Sequence, residues 1–378
     1  MHAKDGAQQR LATIADKMVS LSHRIHARPE LAFEEQAAST WVAEALTDGG
    51  FTVQRGAFDL PTAVAARAGR GPIHVAFVAE YDALPGIGHA CGHNIIAASS
   101  VGAALATAAV ADHVGLTVHL IGAPAEETGG GKILLLERGA FDGMHAALMV
   151  HPAPVDVAEM PCLAFWEFDA EFHGTAAHAS AFPERGVNAG DALTIAQVSV
   201  GLLRQHLRST DRVHGIVTHG GDAPNVVPAR ASARYDVRAR TIDELESVRT
   251  RVLRCFEAGA LATGARLEVR PAGDAYAEMH HDAELATMYR RNAEKLGRSF
   301  IDLGPLAWRS AGSTDMGNVS HHVRAIHPTI GIDSLPAVNH QPEFAAHCIT
   351  AVADRAVTDG ALALAWTALD AAEVGTLR

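Results

Sequence analysis

The sequence is poor in cysteine and in positive charge. Its four cysteines are far apart and too few for a disulfide scaffold in a chain of 378 residues, so we expect free thiols. Lysine and arginine number 31 against 43 aspartates and glutamates. The resulting net charge of −12 argues against a nucleic acid partner, which would require a basic face.

Long apolar segments are also missing. The apolar run at residues 73–79 is too short to span a membrane. The N-terminal sequence MHAKDGAQQR is polar and charged and has no apolar stretch of the kind found in signal peptides. We therefore expect a cytoplasmic protein with no membrane partner.

The composition does support a large folded core. Hydrophobic residues make up 48% of the chain and charged residues 20%, which is enough for two domains. An alanine-rich helix separates the first two predicted strands in a βαβ pattern, which implies a parallel sheet. We predict an α/β fold in which a largely parallel sheet is flanked by helices. Its strands are predicted at residues 73–79, 116–122, 146–150 and 326–332.

The pattern changes near residue 164. Between residues 164 and 279 the predicted order is β-α-β-β-α-β, which is the order of a ferredoxin-like unit. Residues 165–172 alternate with period two, as an antiparallel strand with one solvated face does. The sequence therefore predicts an inserted α+β domain at 164–279 and a main domain formed by residues 1–163 and 280–378.

Ligand-type side chains follow the first strand of the βαβ unit. Asp82 comes at the end of this strand, and after a glycine-containing turn Cys91 and His93 lie two residues apart. We expect Asn94 to cap a helix over residues 95–110. The carboxyl ends of parallel strands are the usual place for a ligand site. A thiolate and an imidazole at this edge predict a metal site.

Further acids and histidines follow the other predicted strands. Glu126 and Glu127 come after the second strand, where two adjacent carboxylates repel each other unless a cation lies beside them. One of them can bind a metal ion while the other acts as general base on a water molecule. One or two divalent ions are expected, with Mn²⁺ or Zn²⁺ favoured and Co²⁺ or Ni²⁺ compatible with the same donors. The candidate ligands are Cys91, His93, one of the two glutamates, His151 and His340.

Eight motifs, in order along nearly the whole chain, resemble those of the dinuclear metallo-aminoacylase and carboxypeptidase family. The resemblance is to its amidohydrolase branch, with aminobenzoyl-glutamate hydrolase, hippurate hydrolase and the auxin-conjugate hydrolases. It implies a metal-binding catalytic domain at 1–163 and 280–378 and a lid and dimerisation domain at 164–279. The motifs are HARPELAFEE (26–35), AEYDALPGIGHACGHN (79–94), GAPAEETGGGK (122–132), HPAP (151–154), GTAAHAS (174–180), HGGDAPNVVP (219–228), GSTDMGNVS (312–320) and NHQPEF (339–344).

The resemblance implies a role for each candidate side chain of the metal site. Cys91 resembles a thiolate ligand that bridges two metal ions, and Glu127 resembles the ligand of the two glutamates. Glu126 resembles the general base, and Asp82 resembles a carboxylate that orients a ligand. The remaining ligands that the resemblance implies are His93, His151 and His340.

The inserted domain is implied to take part in substrate binding. His178 resembles a histidine that reaches the active site of a partner subunit and polarises the scissile carbonyl, so a homodimer through this domain is expected. A loop similar to the family's carboxylate-binding loop contains Gly220, Gly221 and Asn225. Arg238 can clamp the same carboxylate, although Arg234 and Arg240 compete with it for that role.

Asn94 departs from the branch, in which many members carry aspartate at this position. This asparagine and the motif GSTDMGNVS are similar to the aminobenzoyl-glutamate and basic-dipeptide side of the branch. Neither the motif nor the resemblance assigns a role to Thr314 or Asp315.

These observations predict a metallo-amidohydrolase that cleaves N-acyl amino acids or small dipeptides with a free carboxylate. A dipeptidase for basic or β-alanyl dipeptides is the alternative within this class. A hydrolase with Cys91 as nucleophile and His93 or His89 as base is a rival, but it leaves Glu126 and the distant histidines unexplained. A non-catalytic, metal-dependent dipeptide-binding protein is the rival from another class, and the presence of a general base argues against it.

Overall fold

The computed structural model describes residues 3–309 and 311–377, which form two compact units. The first unit contains Met1–Pro161, Met279–Ala307 and Thr314–Arg378. The second contains Cys162–Glu278 and Trp308–Ser313. The sequence instead assigns residues 308–313 to the same domain as the N- and C-terminal segments.

The strands of both units are numbered here in chain order. They are β1 (Thr52–Arg55), β2 (Val64–Gly69), β3 (Ile73–Glu80), β4 (Leu116–Ala123), β5 (Ala146–Leu148), β6 (His151–Ala153), β7 (Ala164–His173), β8 (Arg212–His219), β9 (Arg230–Ala239), β10 (Arg266–Pro271), β11 (Arg324–Ile326) and β12 (Thr329–Gly331).

The helices are numbered in the same way. They are α1 (Ala3–Ala27), α2 (Gln36–Asp48), α3 (His93–Ala108), α4 (Ala111–Val114), α5 (Gly131–Glu137), α6 (Ala189–Leu203), α7 (Ile242–Thr263), α8 (Ala283–Lys295), α9 (Met316–Ser320), α10 (Pro342–His347) and α11 (Ala351–Glu373).

The first unit is built on a six-stranded sheet in the order β1-β2-β4-β3-β5-β11. Strand β3 is parallel to both β4 and β5, and β11 is parallel to β5. Strands β1 and β2 add an antiparallel edge that the sequence does not predict. The predicted α/β class and the βαβ unit β3-α3-β4 are confirmed.

The strand predicted at residues 326–332 is wrong as a single element. It is two short strands, because the chain leaves the main sheet after β11 and β12 pairs instead with β6 in a separate two-stranded sheet. Pro328 lies between them and has no N–H to donate to a sheet.

Helix α3 lies in the core of the first unit. Every residue from His93 to Thr107 is buried, and the helix packs against α1, α11 and β3. Small side chains allow the close approach, since a Cβ at Gly102 would lie 2.9 Å from that of Ala361. A helix that is apolar on all sides belongs in a core. Its first residue, His93, is thereby held against the end of β3.

The predicted cap of α3 is wrong. The helix begins at His93, one residue before Asn94, because Gly92 adopts a left-handed conformation with φ of 80° that few other residues tolerate. The Asn94 side chain is buried and its amide donates to Ser22 Oγ (2.8 Å) and to the Cys348 carbonyl (3.1 Å). Asn94 therefore joins α3 to the N-terminal helix and to the C-terminal region.

The second unit has the predicted ferredoxin-like topology. Its four strands are all antiparallel and lie in the order β10-β7-β9-β8, with α6 and α7 as the two connecting helices. Strand β7 alternates between buried and half-buried residues along its whole length. Its buried side chains, such as Phe168 and Phe172, pack with Phe256 of α7.

Among the described residues, no helix combines the length and the apolar character that crossing a bilayer requires. The cytoplasmic location stays a prediction.

Candidate metal centre

The predicted ligands come together in the first unit, at the carboxyl ends of its parallel strands. Strand β3 leads into the loop that carries Cys91 and into His93 at the start of α3. Strand β4 leads to Glu127, and the chain after β5 leads to His151. His340 lies in the loop before α10, where its backbone N–H donates to the Ala90 carbonyl (2.8 Å). Parallel strands end at one edge of a sheet, so the topology gathers these side chains.

Their donor atoms form two groups that share Cys91. The donors of Cys91, His93 and His151 lie within 4.8 Å of one another, as do those of Cys91, Glu127 and His340. Cys91 Sγ lies 3.5 Å from His151 Nε2, and His340 Nε2 lies 3.4 Å from Glu127 Oε2. Two ligands of one tetrahedral Zn²⁺ are about 3.3–3.8 Å apart, given bonds of about 2.0–2.3 Å. The spacing suits two ions with Cys91 between them.

Two of the ligand histidines, the buried His93 and the half-buried His151, are oriented by acceptors behind them. His93 Nδ1 donates to Asp82 Oδ1 (2.9 Å), and His151 Nδ1 donates to the Pro152 carbonyl (2.9 Å). Each ring therefore presents the lone pair of Nε2 to the centre. The other Asp82 oxygen accepts from the Glu127 backbone N–H (2.9 Å), so Asp82 positions two candidate ligands at once.

The centre contains buried polar atoms whose lone pairs a bound divalent cation would satisfy. Among the described residues, the buried atoms His93 Nε2 and Glu127 Oε1 have no hydrogen-bond partner, a costly arrangement unless something else binds them. Five side-chain carboxylates surround the centre against one lysine, which leaves four formal negative charges. Two divalent ions would neutralise these four charges, and the Cys91 thiolate would add one more negative charge. The acids and the lysine are Glu80, Asp82, Glu126, Glu127, Asp315 and Lys132.

Burial shifts the pKa values of three side chains of the centre, those of Glu126, Cys91 and His151. The pKa of Glu126 is raised well above its ordinary value by burial and by the neighbouring carboxylates of Glu80 and Glu127. Burial and Glu127 also raise the pKa of the Cys91 thiol, and burial lowers the pKa of His151 to about 4. A bound cation opposes the shift at the thiol, because it stabilises the thiolate.

A buried ion-pair network next to the centre was not predicted. The Lys132 ammonium, fully buried, lies 2.5 Å from Glu80 Oε1 and also contacts Asp315 Oδ1. The Lys132 backbone N–H donates to the other Asp315 oxygen (2.8 Å). Lys132 belongs to the motif at 122–132 and Asp315 to the motif at 312–320, and 183 positions separate the two residues. No local pattern in the sequence shows that they meet.

Asn339 is a second unpredicted contact of the centre. Its amide donates to the Pro152 carbonyl (3.1 Å), the same oxygen that orients His151, and lies 3.5 Å from the Cys91 carbonyl. The asparagine thus ties the loop that carries His340 to two other ligand segments.

His178 and Asn225 lie together in the second unit. The Ala179 N–H donates to the Asn225 carbonyl (3.0 Å), and His178 pairs with Val226 in an isolated β-bridge. His178 Nδ1 accepts from the N–H groups of Ser180 (3.3 Å) and Ala181 (3.2 Å). Because Nδ1 accepts, Nε2 of this exposed ring carries a proton and can donate it in a hydrogen bond.

The glycine loop and Arg238 lie at opposite ends of the sheet in the second unit. Gly221 has a φ of +115°, and a Cβ there would lie 2.9 Å from Pro228 Cγ, so this position requires glycine. His219, just before the loop, is opposite Ser232. Arg238 is six residues further along β9, or about 20 Å. Within one protomer, the structure does not bring Arg238 to the Gly220–Asn225 loop.

Of the three candidate arginines on or after β9, Arg238 lies beside a hydroxyl, an aromatic ring and the carboxylate of Asp236, which is 3.7 Å away. Its guanidinium donates to Ser313 Oγ (2.8 Å) and lies 4.4 Å from the centre of the Phe165 ring. Arg234 instead makes a two-pronged ion pair with Asp169, at 2.8 Å for both bonds. That pairing already uses the planar donor edge that a substrate carboxylate would need.

Comparison with known proteins places the chain among peptidases. Residues 164–263 match the family model described as the peptidase dimerisation domain. The chain is 38% identical to the Xaa-Arg dipeptidase of Mus musculus, over 97% of this chain and 88% of that protein. It is 34% identical to one of the two p-aminobenzoyl-glutamate hydrolase proteins of Escherichia coli, over 71% of this chain and 59% of that protein.

A solved structure shows the same fold over nearly the whole chain. It is a dinuclear metal-binding peptidase of the M20 family from Bacillus subtilis, with a TM-score of 0.71 and 21% identity over 96% of this chain and 99% of that one. The identity to the mouse dipeptidase over almost the full length, together with the matched dimerisation domain, shows the family. The chain belongs to the M20 peptidases, the metallo-aminoacylase and carboxypeptidase family, and is a hydrolase of amide or peptide bonds.

Proposed function

We propose that the protein hydrolyses the amide bond of small dipeptides or N-acyl amino acids that carry a free carboxylate. The observation that carries this proposal is the pair of donor groups sharing Cys91, with the buried carboxylate of Glu126 beside them. Dipeptides with a C-terminal arginine are the first substrates to test, because the mouse relative is named an Xaa-Arg dipeptidase. Aminobenzoyl-glutamate is the second, after the relative from Escherichia coli.

In this proposal the five candidate ligands bind the metal ions, and Glu126 transfers the proton. Divalent ions held by the five candidate ligands, Mn²⁺ or Zn²⁺ in our proposal, would activate a water molecule and polarise the scissile carbonyl. Glu126 accepts the proton of the attacking water and passes it to the leaving amine. One of its oxygens lies 3.8 Å from His93 Nε2, so the base is adjacent to the ligands. Burial raises its pKa, which makes it a stronger proton acceptor once ionised.

The second unit supplies the groups that hold the substrate. His178 donates from Nε2 to the oxygen of the carbonyl under attack, where negative charge develops. The loop containing Gly220, Gly221 and Asn225 binds the free carboxylate through its backbone. Because about 20 Å of strand separates Arg238 from this loop, a small substrate can meet both only if two protomers contribute them. This geometry supports the proposed homodimer.

The surface of the second unit also supports association with a second copy. Strand β8 is the outermost strand of its sheet, so one edge is available for pairing. Large apolar side chains are exposed on β8 and α6, with Ile216 65% and Leu202 69% exposed. The residues concerned lie in the segment that matches the peptidase dimerisation domain.

The test is amine release from a panel of dipeptides and N-acyl amino acids. Chelator-treated protein is assayed with and without added Mn²⁺ or Zn²⁺, alongside the Glu126→Gln variant. We expect metal-dependent turnover by the wild type and almost none by the variant. If the wild type binds metal and the ligands but releases no amine from any of them, the non-catalytic binding protein is the better interpretation.

A further inference from the structure

The wall of the metal centre contains a third group of candidate metal ligands. Donor atoms of Glu80, His93 and Glu126 all lie within 4.8 Å of one another, as they do in the two groups that contain Cys91. All three residues are buried. Two carboxylates and an imidazole are suitable ligands for Mn²⁺ or Zn²⁺. By donor chemistry alone, this group could compete with the other two for a divalent ion.

An ammonium group already lies beside this third group. Lys132 Nζ is 2.5 Å from Glu80 Oε1, and Lys132 is fully buried. The other Glu80 oxygen, Oε2, lies 3.6 Å from His93 Nε2, so this carboxylate contacts the ammonium on one side and a candidate metal ligand on the other. The Glu80 carboxylate is thus neutralised by a cation that belongs to the chain.

The backbone holds this lysine in place. Gly130, just before α5, has a φ of 63°, and a Cβ at Gly131 would lie 1.7 Å from the Pro124 carbonyl oxygen. The glycines therefore allow the chain to return tightly against the end of β4 and place the side chain of Lys132 inward. Asp315 then binds Lys132 twice, once at its backbone N–H and once at its ammonium.

We propose that Lys132 acts as a fixed cation in place of a metal ion beside Glu80. It keeps divalent ions out of the group formed by Glu80, His93 and Glu126 and confines them to the two groups that contain Cys91. His93 is thereby kept for the first Cys91 group, and the Glu126 carboxylate stays available to take a proton. Lys132 is a positioning residue, since it acts through Glu80. The inference rests on the proposed function in requiring that the centre take divalent ions.

The test is a count of bound metal ions. Wild type, Lys132→Met and Lys132→Met/Glu80→Gln are loaded with Mn²⁺ or Zn²⁺, freed of excess ion and analysed for metal per chain. We expect Lys132→Met to bind one more ion per chain than the wild type, and the double variant to return to the wild-type number. The exposed Lys295 gives the matched control, because Lys295→Met removes an equal charge at the end of α8, outside the three donor groups.

A folded Lys132→Met protein with the wild-type number of ions would overturn the proposal. If Lys132→Met does not fold, Glu80→Gln decides, since Lys132 keeps its contacts with Asp315 there. We expect Glu80→Gln to retain every ion, whereas loss of one would show that Glu80 is itself a ligand and overturn the inference. A wild type that takes up no divalent ion overturns the proposed function as well. If Lys132→Met retains full metal-dependent hydrolysis but binds no extra ion, this inference is overturned and the proposed function stands.

Discussion

Replacing Asp82 with asparagine tests how the centre positions its ligands. Asp82 accepts one hydrogen bond from His93 Nδ1 and one from the Glu127 backbone N–H, each of 2.9 Å. Asparagine has the same shape but only one oxygen, and its NH₂ group must then face one of these two donors. Either His93 moves its proton to Nε2, the atom that faces the centre, or the Glu127 backbone loses its acceptor. Both outcomes weaken metal binding.

The expected magnitude follows from the number of ligands affected. Loss of a residue that orients a metal ligand costs about 10- to 100-fold in metal affinity, or about 1.4–2.7 kcal/mol. Asp82 orients one residue in each of the two donor groups that share Cys91. We therefore expect the upper end of this range, about 100-fold, and weaker binding of both ions rather than of one.

The measurement is competition for Zn²⁺ or Mn²⁺ against a chromophoric chelator, which gives an affinity for each ion. Asp112→Asn is the matched control, because it removes one exposed carboxylate outside the centre. Unchanged affinity for both ions in a folded Asp82→Asn protein would refute the positioning role. Weakening to the same extent in the control would show that the effect is one of overall charge.

Three further predictions concern catalysis, acid stability and assembly. Glu126→Gln should lower kcat by about 10²- to 10⁴-fold while metal content is unchanged, and near-normal turnover would exclude Glu126 as the base. Burial, with neighbouring positive charge, lowers the pKa of His119 to about 4, so the stability that it contributes is present above pH 6.5 and is lost as the pH falls towards 4. In urea unfolding, His119→Gln should reduce this acid-side loss by about 1–2 kcal/mol, discounted for partial exposure, whereas the exposed His113→Gln should not. Leu202→Glu on α6 should shift the protein to monomers in analytical ultracentrifugation, while Leu261→Glu, at an 88% exposed site on α7, should not. An unchanged dimer in Leu202→Glu would place the interface elsewhere.

The sequence could predict that the candidate ligands come together, because apolar strands and the ligand-type residues that follow them can both be recognised from short stretches of sequence. Glu127 comes four residues after β4 and Cys91 eleven residues after β3, both strands are buried and apolar, and parallel strands end at one edge of a sheet. The antiparallel character of the second unit could also be predicted locally, from the period-two pattern of β7. These features depend on neighbours in sequence, which a single sequence displays.

Contacts between distant segments could not be predicted in the same way. Lys132 ends a glycine-rich motif, and nothing near it in sequence indicates that Asp315 and Glu80 surround it. Local rules make Asn94 a helix cap, because asparagine often is one, but its partners are Ser22 and Cys348. In both cases the position of a polar side chain is determined by tertiary contacts with residues that are distant in sequence.

The location that we propose for the ions is explained by charge that the fold leaves uncompensated. Histidine is abundant in this chain, with 22 residues, so the presence of imidazole alone cannot select a site. The fold places its own cation, Lys132, between Glu80 and Asp315, and so neutralises one side of the centre. On the other side, Glu127 Oε1 is buried without a hydrogen-bond partner among the described residues, and so is His93 Nε2, which both sides share. An uncompensated buried charge costs several kcal/mol, and a divalent ion that binds there removes this cost, so we expect the ion to bind most strongly on this side. The same argument explains why one buried lysine can decide which donors remain available to metal.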